Sequence, residues 1–176
     1  SSDKKEDEAI KQALAESEKE RAENVMIVDL VRNDLTRCAL PGTVEVDELF
    51  GVYSFTQVHQ LISTILCHVA AEQSFSNILK ATFPMGSMTG APKIRAMQLI
   101  EQYERSKRGV YSGSVGYIQP NGDFDFNVII RSMLYNANSK YLSFQVGGAI
   151  TAKSIPEEEY EECLLKAKAI GQVLGL

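Results

Sequence analysis

The spacing of apolar residues changes once along this chain, close to Gly109. Before that point apolar residues mostly recur every three or four positions, which is typical of amphipathic helices. After it they alternate with polar residues in segments separated by turn-forming residues, which is typical of antiparallel strands. The change in period predicts an α+β fold in which residues 1–176 form part of one domain without an internal boundary.

The segment before Gly109 combines helical spacing with short runs of strand-forming residues. The run at 23–30 (ENVMIVDL) is short, apolar and rich in β-branched side chains, so it predicts a buried strand. Val44 and Val46 alternate after a Pro41-Gly42 turn and predict a second strand. Helices are predicted over residues 6–23, 57–70 and about 91–104.

Beyond Gly109 the chain predicts a meander of three antiparallel strands followed by a helix. The strands span residues 112–119, 124–135 and 140–146, with turns at the two Asn-containing segments between them. Ser154 and Glu157 have the spacing of a capping box, and the apolar residues after them recur at helical spacing. A closing helix is therefore expected.

Composition excludes several classes of function. The chain has 18 Lys and Arg against 23 Asp and Glu, a formal net charge of −5, whereas binding to a nucleic-acid backbone needs a basic surface. No apolar run approaches the roughly 18 to 20 residues that span a bilayer, and the charged start SSDKKEDEAI is unlike a signal peptide. We expect a cytoplasmic protein without a nucleic-acid or membrane partner. Cys38, Cys67 and Cys163, without CxxC spacing, favour buried thiols over disulfides or zinc.

Two pairs of glutamates lie on predicted helices at opposite ends of the chain. Glu20 and Glu23 are three residues apart, as are Glu159 and Glu162, so each pair points to one helix face. Carboxylates that meet in this way suit Mg²⁺, which takes one or two protein carboxylates, water and substrate anions. The alternative is a pair of solvated acidic faces. Lys166 is either an i,i+4 partner of Glu162 or a cation that binds a substrate anion.

A loop rich in small residues precedes the helix predicted near residue 91. In the segment FPMGSMTGAPK (83–93), Gly86, Ser87, Thr89 and Gly90 come directly before the helix start. Backbone N–H groups in such a loop can bind a carboxylate or phosphate. The spacing of a nucleotide-binding P-loop is absent, and an ordinary turn into a helix is the alternative.

Two further features suggest contacts with an anionic ligand. Gly147 and Gly148 interrupt a strand-like sequence, which indicates either a close approach of backbone to ligand or a β-bulge. Arg131 lies in the apolar segment NVIIRS, and an arginine on a central strand needs an anionic partner. That partner is a substrate carboxylate or, alternatively, Asp123 or Asp125.

The order and the amino-acid sequences of these segments resemble those of the chorismate-utilising enzymes over essentially the whole chain. That family has a mixed α/β sandwich with antiparallel sheets and flanking helices, in which Mg²⁺ bridges protein glutamates and a carboxylate of chorismate. The similar segments are RAENVMIVDLVRNDL (21–35), FPMGSMTGAPKIRAMQLI (83–100), YSGSVGYI (111–118), VIIRS (128–132), GGAITAKS (147–154) and EEEYEECLLKA (157–167).

The resemblance assigns roles to individual residues. It implies Mg²⁺ ligation by Glu23 and Glu162, with Glu20 and Glu159 holding metal-bound water, and a catalytic role for Glu23, Glu162 and Lys166. The substrate-binding residues that it implies are Ser87, Thr89, Gly90, Tyr111, Arg131, Gly147, Gly148 and Lys166.

Within the family, the segments VEVDELF, VHQLISTI and FPMGSMTGAPK are most similar to enzymes that replace the 4-hydroxyl of chorismate with an amino group. Those enzymes take ammonia from a glutamine amidotransferase and serve 4-aminobenzoate and folate synthesis. The alternatives are members that form anthranilate and pyruvate, or isochorismate or salicylate. Outside the family, the alternative is an acidic α+β interaction domain.

Three departures from the family pattern affect these expectations. The Pro-Ile-Lys-Gly-Thr motif, whose lysine has a covalent role in the aminating enzymes, is absent from this sequence. We therefore expect the chain to be the C-terminal part of a longer protein and to be inactive alone. Gln60 occupies the position of a family histidine, and Ala149 that of a third glycine.

Overall fold

The chain forms two compact units, residues 1–103 and 104–176. This computed structural model describes residues 3–55, 58–152 and 154–175. Helices and short antiparallel sheets occur in the chain, as expected for an α+β fold. Across the described ranges, none of the helices has both the length and the apolar character needed to cross a membrane.

The first unit contains four helices and one antiparallel pair of strands in its described part. The long helix Glu18–Thr36 packs against the strand His59–Leu66, against the helix Phe75–Thr82 and against a 3-10 turn in the Gly-rich loop. The elements are α1 (Lys4–Glu16), α2 (Glu18–Thr36), β1 (Glu45–Ser54), β2 (His59–Leu66), α3 (Phe75–Thr82), the 3-10 turn (Gly86–Met88) and α4 (Lys93–Tyr103).

The strand predicted over 23–30 is wrong, because α2 runs through it. The predicted helix over 6–23 is divided at Ser17, whose ψ is 112° and whose Oγ accepts from the N–H of Glu20, so that α2 starts there. Within α2 the exposed residues recur at helical spacing, at Val25, Asp29 and Arg32. The apolar run is therefore the inner face of a helix together with one exposed valine.

The helix predicted over 57–70 is also wrong. His59–Leu66 form β2, which pairs antiparallel with β1, for example Val52 opposite Leu61. Residues 59–65 are all half-buried, so both faces of the strand carry apolar residues and the alternation that marks a one-sided strand is lost. Gln57 lies outside the described residues.

The second unit has two hairpins followed by a helix, rather than one three-stranded meander. Ser114–Ile118 pairs with Phe124–Val128, and Met133–Asn136 pairs with Tyr141–Phe144. The predicted strand 124–135 is interrupted at residues 129–132, where Arg131 has a φ of 49°. The elements are β3 (Ser114–Ile118), β4 (Phe124–Val128), β5 (Met133–Asn136), β6 (Tyr141–Phe144) and α5 (Pro156–Leu174).

The closing helix is confirmed, but its predicted capping box is wrong. α5 begins at Pro156 after Ile155, which makes no side-chain cap. The Oγ of Ser154 instead accepts from the N–H of Thr151, which tightens the preceding loop. Proline at the first helical position needs no capping partner because it has no N–H.

The described core of the first unit centres on α2. Val28 and Leu30 are buried, and Gly86 lies so close to α2 that an added Cβ would be 2.8 Å from the Cβ of Leu30. Cys38 is also buried, whereas Cys67 and Cys163 are half-buried. The Gly-rich loop is thus held directly against α2.

This close contact generates a stability prediction. We expect Gly86→Ala to lower the free energy of unfolding by about 1–3 kcal/mol, because the new methyl group meets the Cβ of Leu30 rather than a movable side-chain end. Urea unfolding measures the change. As a control, Ser87→Ala changes the exposed next residue of the same loop and should change stability by less than about 0.5 kcal/mol. Equal effects of both substitutions contradict the contact.

Candidate active site

The Gly-rich loop forms a tight turn at the start of α4. The N–H groups of Met88 and Thr89 donate to Met85 and Gly86, and the Thr89 hydroxyl donates to the same two carbonyls at 3.1 and 3.2 Å. Gly90 has a φ of +149°, where an L side chain is strained. Ser87 is exposed at the tip. An anion at this loop would contact Ser87 rather than the Thr89 hydroxyl, which the turn uses.

A buried ion pair that sequence reasoning missed anchors this loop to α2. The ammonium of Lys93 lies 2.6 and 2.5 Å from the two carboxylate oxygens of Asp34 and donates to the carbonyl of Pro84 at 2.8 Å. Asp34 is 3% exposed. Correct assignment of α2 as a helix would have placed Asp34 on the buried face, one turn after Leu30, but would not have identified Lys93, 59 positions away, as its partner.

Glu20 and Glu23 lie on α2, as the first half of the predicted metal site. Both are half-buried, and the Oε1 of Glu23 is buried and 4.0 Å from the ammonium of Lys19. Asn24, the next residue, donates to the carbonyl of Leu61 and accepts from the Ser63 hydroxyl. These bonds to β2 fix the turn of α2 that carries Glu23.

Six predicted residues of the second unit form one group, which we call the Glu162 cluster. The ammonium of Lys166 is 2.5 Å from Glu162 Oε1 and donates to the carbonyl of Gly147 at 3.0 Å. Lys166 is thus the i,i+4 partner of Glu162, and its role as a cation that binds a substrate anion stays a prediction. The cluster consists of Tyr111, Gly147, Gly148, Glu159, Glu162 and Lys166.

The two glycines allow the side chains of this cluster to approach the backbone. A Cβ on Gly148 would lie 3.2 Å from Glu159 Oε2 and 4.0 Å from Glu162 Oε1. A Cβ on Gly147 would lie 3.2 Å from the hydroxyl of Tyr111. Both glycines follow the end of β6 and belong to no strand. The β-bulge alternative is therefore wrong. The groups seen close to these glycines are side chains of the protein itself, and a close approach of their backbone to a ligand stays a prediction.

The phenol of Tyr111 lies in a mixed electrostatic environment. Burial raises its pKa, while the cations of Arg108 and Lys166 act to lower it. Arg108 is held by Glu104 through contacts of 2.9 and 2.6 Å, and this pairing raises the pKa of the guanidinium. The sequence analysis did not select Arg108. The one sequence feature that points to it is its position three residues before Tyr111.

Arg131 does not lie on a strand, contrary to the prediction. It occupies the exposed bend between β4 and β5 with a φ of 49°. Within the part of the chain that the structure describes, Asp123 is bonded to the Asn121 side chain at 2.7 Å, and no bond from Arg131 to Asp123 or Asp125 is present. Its assignment to a substrate carboxylate stays a prediction.

The Glu162 cluster suits a hard divalent cation. Glu159 is buried and Glu162 half-buried, and both carboxylates face Gly148. In residues 3–55, 58–152 and 154–175, no group of three or more acidic, His or Cys side chains that could hold a metal is present. Mg²⁺ commonly takes only one or two carboxylates and completes its shell with water and substrate oxygens. Shared ligation by Glu23 and Glu162 stays a prediction.

An apolar depression of about 520 Å³ also lies in the second unit. Val110, Val115, Ile129 and Leu134 are among its lining residues. It contains none of the predicted site residues and little polar chemistry, so the Glu162 cluster, rather than this depression, is the candidate active site.

Comparison with known proteins shows the class to which this fold and cluster belong. A profile of the chorismate binding enzyme family matches residues 1–172, and the chain belongs to that family. An aminodeoxychorismate synthase of Streptomyces griseus is 47% identical over 169 residues, 96% of this chain and 23% of that protein. Anthranilate synthase component 1 of Aquifex aeolicus is 41% identical, over 97% of this chain and 34% of its own length.

A solved structure confirms the predicted fold class. The crystal structure of anthranilate synthase component I from Streptococcus pneumoniae matches 93% of this chain and 37% of its own chain, with a TM-score of 0.78 and 39% identity. The predicted similarity to aminodeoxychorismate synthases is also confirmed. The chain spans between 18% and 39% of the length of the curated relatives compared.

The environment of Tyr111 generates a titration prediction. We expect Lys166→Met to raise the pKa of Tyr111 further, because the lost ammonium stabilises the phenolate. Ultraviolet absorbance of the phenolate measures the shift, with Tyr111→Phe identifying the signal. Lys168→Met, an exposed lysine on the same helix, should leave it unchanged. The same shift in both lysine variants contradicts the arrangement.

Proposed function

We propose that the protein containing this chain catalyses Mg²⁺-dependent amination of chorismate to 4-amino-4-deoxychorismate. The observation that carries the proposal is the Glu162 cluster, in which two carboxylates, an ammonium and a phenol surround two adjacent glycines. The identity of 47% with an aminodeoxychorismate synthase supports the choice of reaction. An acidic interaction domain would not need a buried Glu159.

In this proposal Glu162 and Glu23 ligate the ion, and Glu159 and Glu20 hold its water. When bound there, Mg²⁺ would supply positive charge that offsets a chorismate carboxylate and favours loss of the ring hydroxyl. Lys166, Tyr111 and the backbone at Gly147 bind the substrate's anionic groups, together with Arg131. Their preorganised charges need little rearrangement when charge develops in the reaction.

The Gly-rich loop is assigned to one substrate carboxylate. Ser87, Thr89 and Gly90 lie in a turn that its own hydrogen bonds keep rigid. A rigid loop loses little entropy on binding an anion. In the same proposal a glutamine amidotransferase supplies ammonia, and the protein acts in the cytoplasm in 4-aminobenzoate and folate synthesis.

The second candidate function is anthranilate synthesis. It is favoured by the Aquifex aeolicus relative, which is 41% identical over nearly the whole chain. The two reactions differ in product, since anthranilate formation releases pyruvate and amination at position 4 keeps the enolpyruvyl group. Isochorismate or salicylate formation would consume no ammonia.

Product analysis of the protein at its full natural length tests the proposal. With chorismate, Mg²⁺ and ammonium, we expect a product of aminodeoxychorismate mass without pyruvate release. Glu162→Gln should reduce turnover by at least about a hundredfold, because one ligand and one charge are lost. Glu161→Gln, at an exposed neighbour on α5, is the matched control and should retain activity.

Each of the other products would support a different reaction. Pyruvate released in proportion to turnover, and only when ammonium is present, supports the anthranilate alternative. Product formed without ammonium supports the isochorismate or salicylate alternative. Full activity of Glu162→Gln contradicts the assigned metal ligand. No turnover of chorismate by the wild-type protein contradicts the proposed function.

Arg131 gives an independent prediction. Arg131→Lys should weaken chorismate binding by about 1.5–3 kcal/mol, because lysine cannot reproduce a bidentate contact with a carboxylate. Equilibrium binding to the full-length protein measures the loss. Arg105→Lys changes another exposed arginine of the same unit and should bind normally. Unchanged binding by Arg131→Lys removes this residue from the site.

A further inference from the structure

Lys93 ends the Gly-rich segment, where a lysine would ordinarily be assigned to an anionic ligand. In this structure its ammonium instead contacts acceptors of the protein itself. The three N–H donors of an ammonium are matched by three acceptors of the protein, the two oxygens of Asp34 and the carbonyl of Pro84. The side chain is only 15% exposed. All three N–H donors of Lys93 are therefore occupied by contacts within the protein.

These three contacts join the two ends of the loop to one point of α2. Pro84 lies at the start of the Gly-rich segment and Lys93 at its end, so one ammonium holds both ends together. Asp34, in the last turns of α2, fixes the position of that ammonium. The loop between them carries Ser87, Thr89 and Gly90.

A second contact with α2 lies one helical turn earlier. Gly86 is held against Leu30 so closely that it has no room for a side chain, and Leu30 precedes Asp34 by four residues on the same helix face. The loop is therefore fixed to α2 both at its ends and at its turn. Its backbone orientation depends on the face formed by Leu30 and Asp34.

We propose that the Asp34–Lys93 pair is a positioning pair for substrate binding. It sets the orientation of the loop that receives a carboxylate of the substrate and does not itself contact the substrate. This inference rests on the proposed function, in which that loop binds chorismate. Because the pair acts on binding rather than on the reacting ring, its loss should raise KM and spare kcat.

Three variants of the full-length protein test the pair: Asp34→Asn, Lys93→Met and the double variant. We expect each to raise the KM for chorismate about ten- to a hundredfold, as small displacements of binding groups do, with kcat within about threefold. The double variant should be no worse than the poorer single variant, because both residues act as a unit. Asp29→Asn is the control, since Asp29 forms an exposed pair with Arg32 on the same helix.

A second measurement follows the loop without any substrate. Hydrogen exchange of the backbone amides of residues 85–90 should be faster in all three variants than in the wild type or in Asp29→Asn. If a single variant fails to fold because one buried charge is left alone, the double variant decides the question, since it leaves no unpaired charge.

Several results would overturn the proposal. A KM of the double variant within twofold of wild type shows that the pair does not position the loop. A large KM effect of Lys93→Met without one of Asp34→Asn shows that Lys93 contacts the substrate. If the wild-type protein does not convert chorismate, the proposed function fails, and loop exchange alone then decides whether the pair positions the loop.

Discussion

A carboxylate that loses contact with water costs free energy unless a cation or hydrogen-bond donors compensate for its lost hydration, and two parts of this chain contain such a buried carboxylate. In the first unit Asp34 is buried on α2 and is neutralised by Lys93. In the second unit Glu159 is buried on α5, and Glu162 beside it pairs with the ammonium of Lys166. In both units the ammonium also donates to a backbone carbonyl of a glycine-containing loop.

The two groups differ in the number of carboxylates that they contain. Asp34 and Lys93 carry equal and opposite charges, and every donor of the ammonium has an acceptor. In the second unit Glu162 pairs with Lys166, and Glu159 is a second carboxylate beside the same glycine backbone. Two carboxylates close to a glycine backbone are what a divalent cation and an anionic substrate can share. The first group therefore holds a loop, and the second is where we propose that the reaction takes place.

The sequence alone predicted which residues of the second unit lie together better than it predicted the helices and strands of the first unit. Glu159, Glu162, Lys166, Tyr111 and Gly147 were chosen as site residues, and the structure brings them together, although their roles stay predictions. The strand predicted through 23–30 and the helix predicted over 57–70 were wrong. In both places one apolar run fits either period, and only pairing with another part of the chain decides between them.

The missed residues have a common physical cause. Asp34 and Lys93 are 59 positions apart and look like ordinary charged residues until α2 and the Gly-rich loop meet. Arg131 was misplaced for a related reason, because a positive φ between two strands leaves no mark in a run of apolar residues. Long-range contacts and local backbone strain are therefore the parts of this site that sequence patterns do not contain.

The most direct test of a magnesium site at the Glu162 cluster is the thermal midpoint of the full-length protein as Mg²⁺ is added, measured for the wild type and for Glu162→Gln. A ligand present at a hundred times its dissociation constant stabilises a folded protein by about 2.7 kcal/mol. We expect the thermal midpoint of the wild type to rise as Mg²⁺ is added and the thermal midpoint of Glu162→Gln to stay unchanged. An equal rise in both proteins, or none in the wild type, would contradict a magnesium site at the Glu162 cluster.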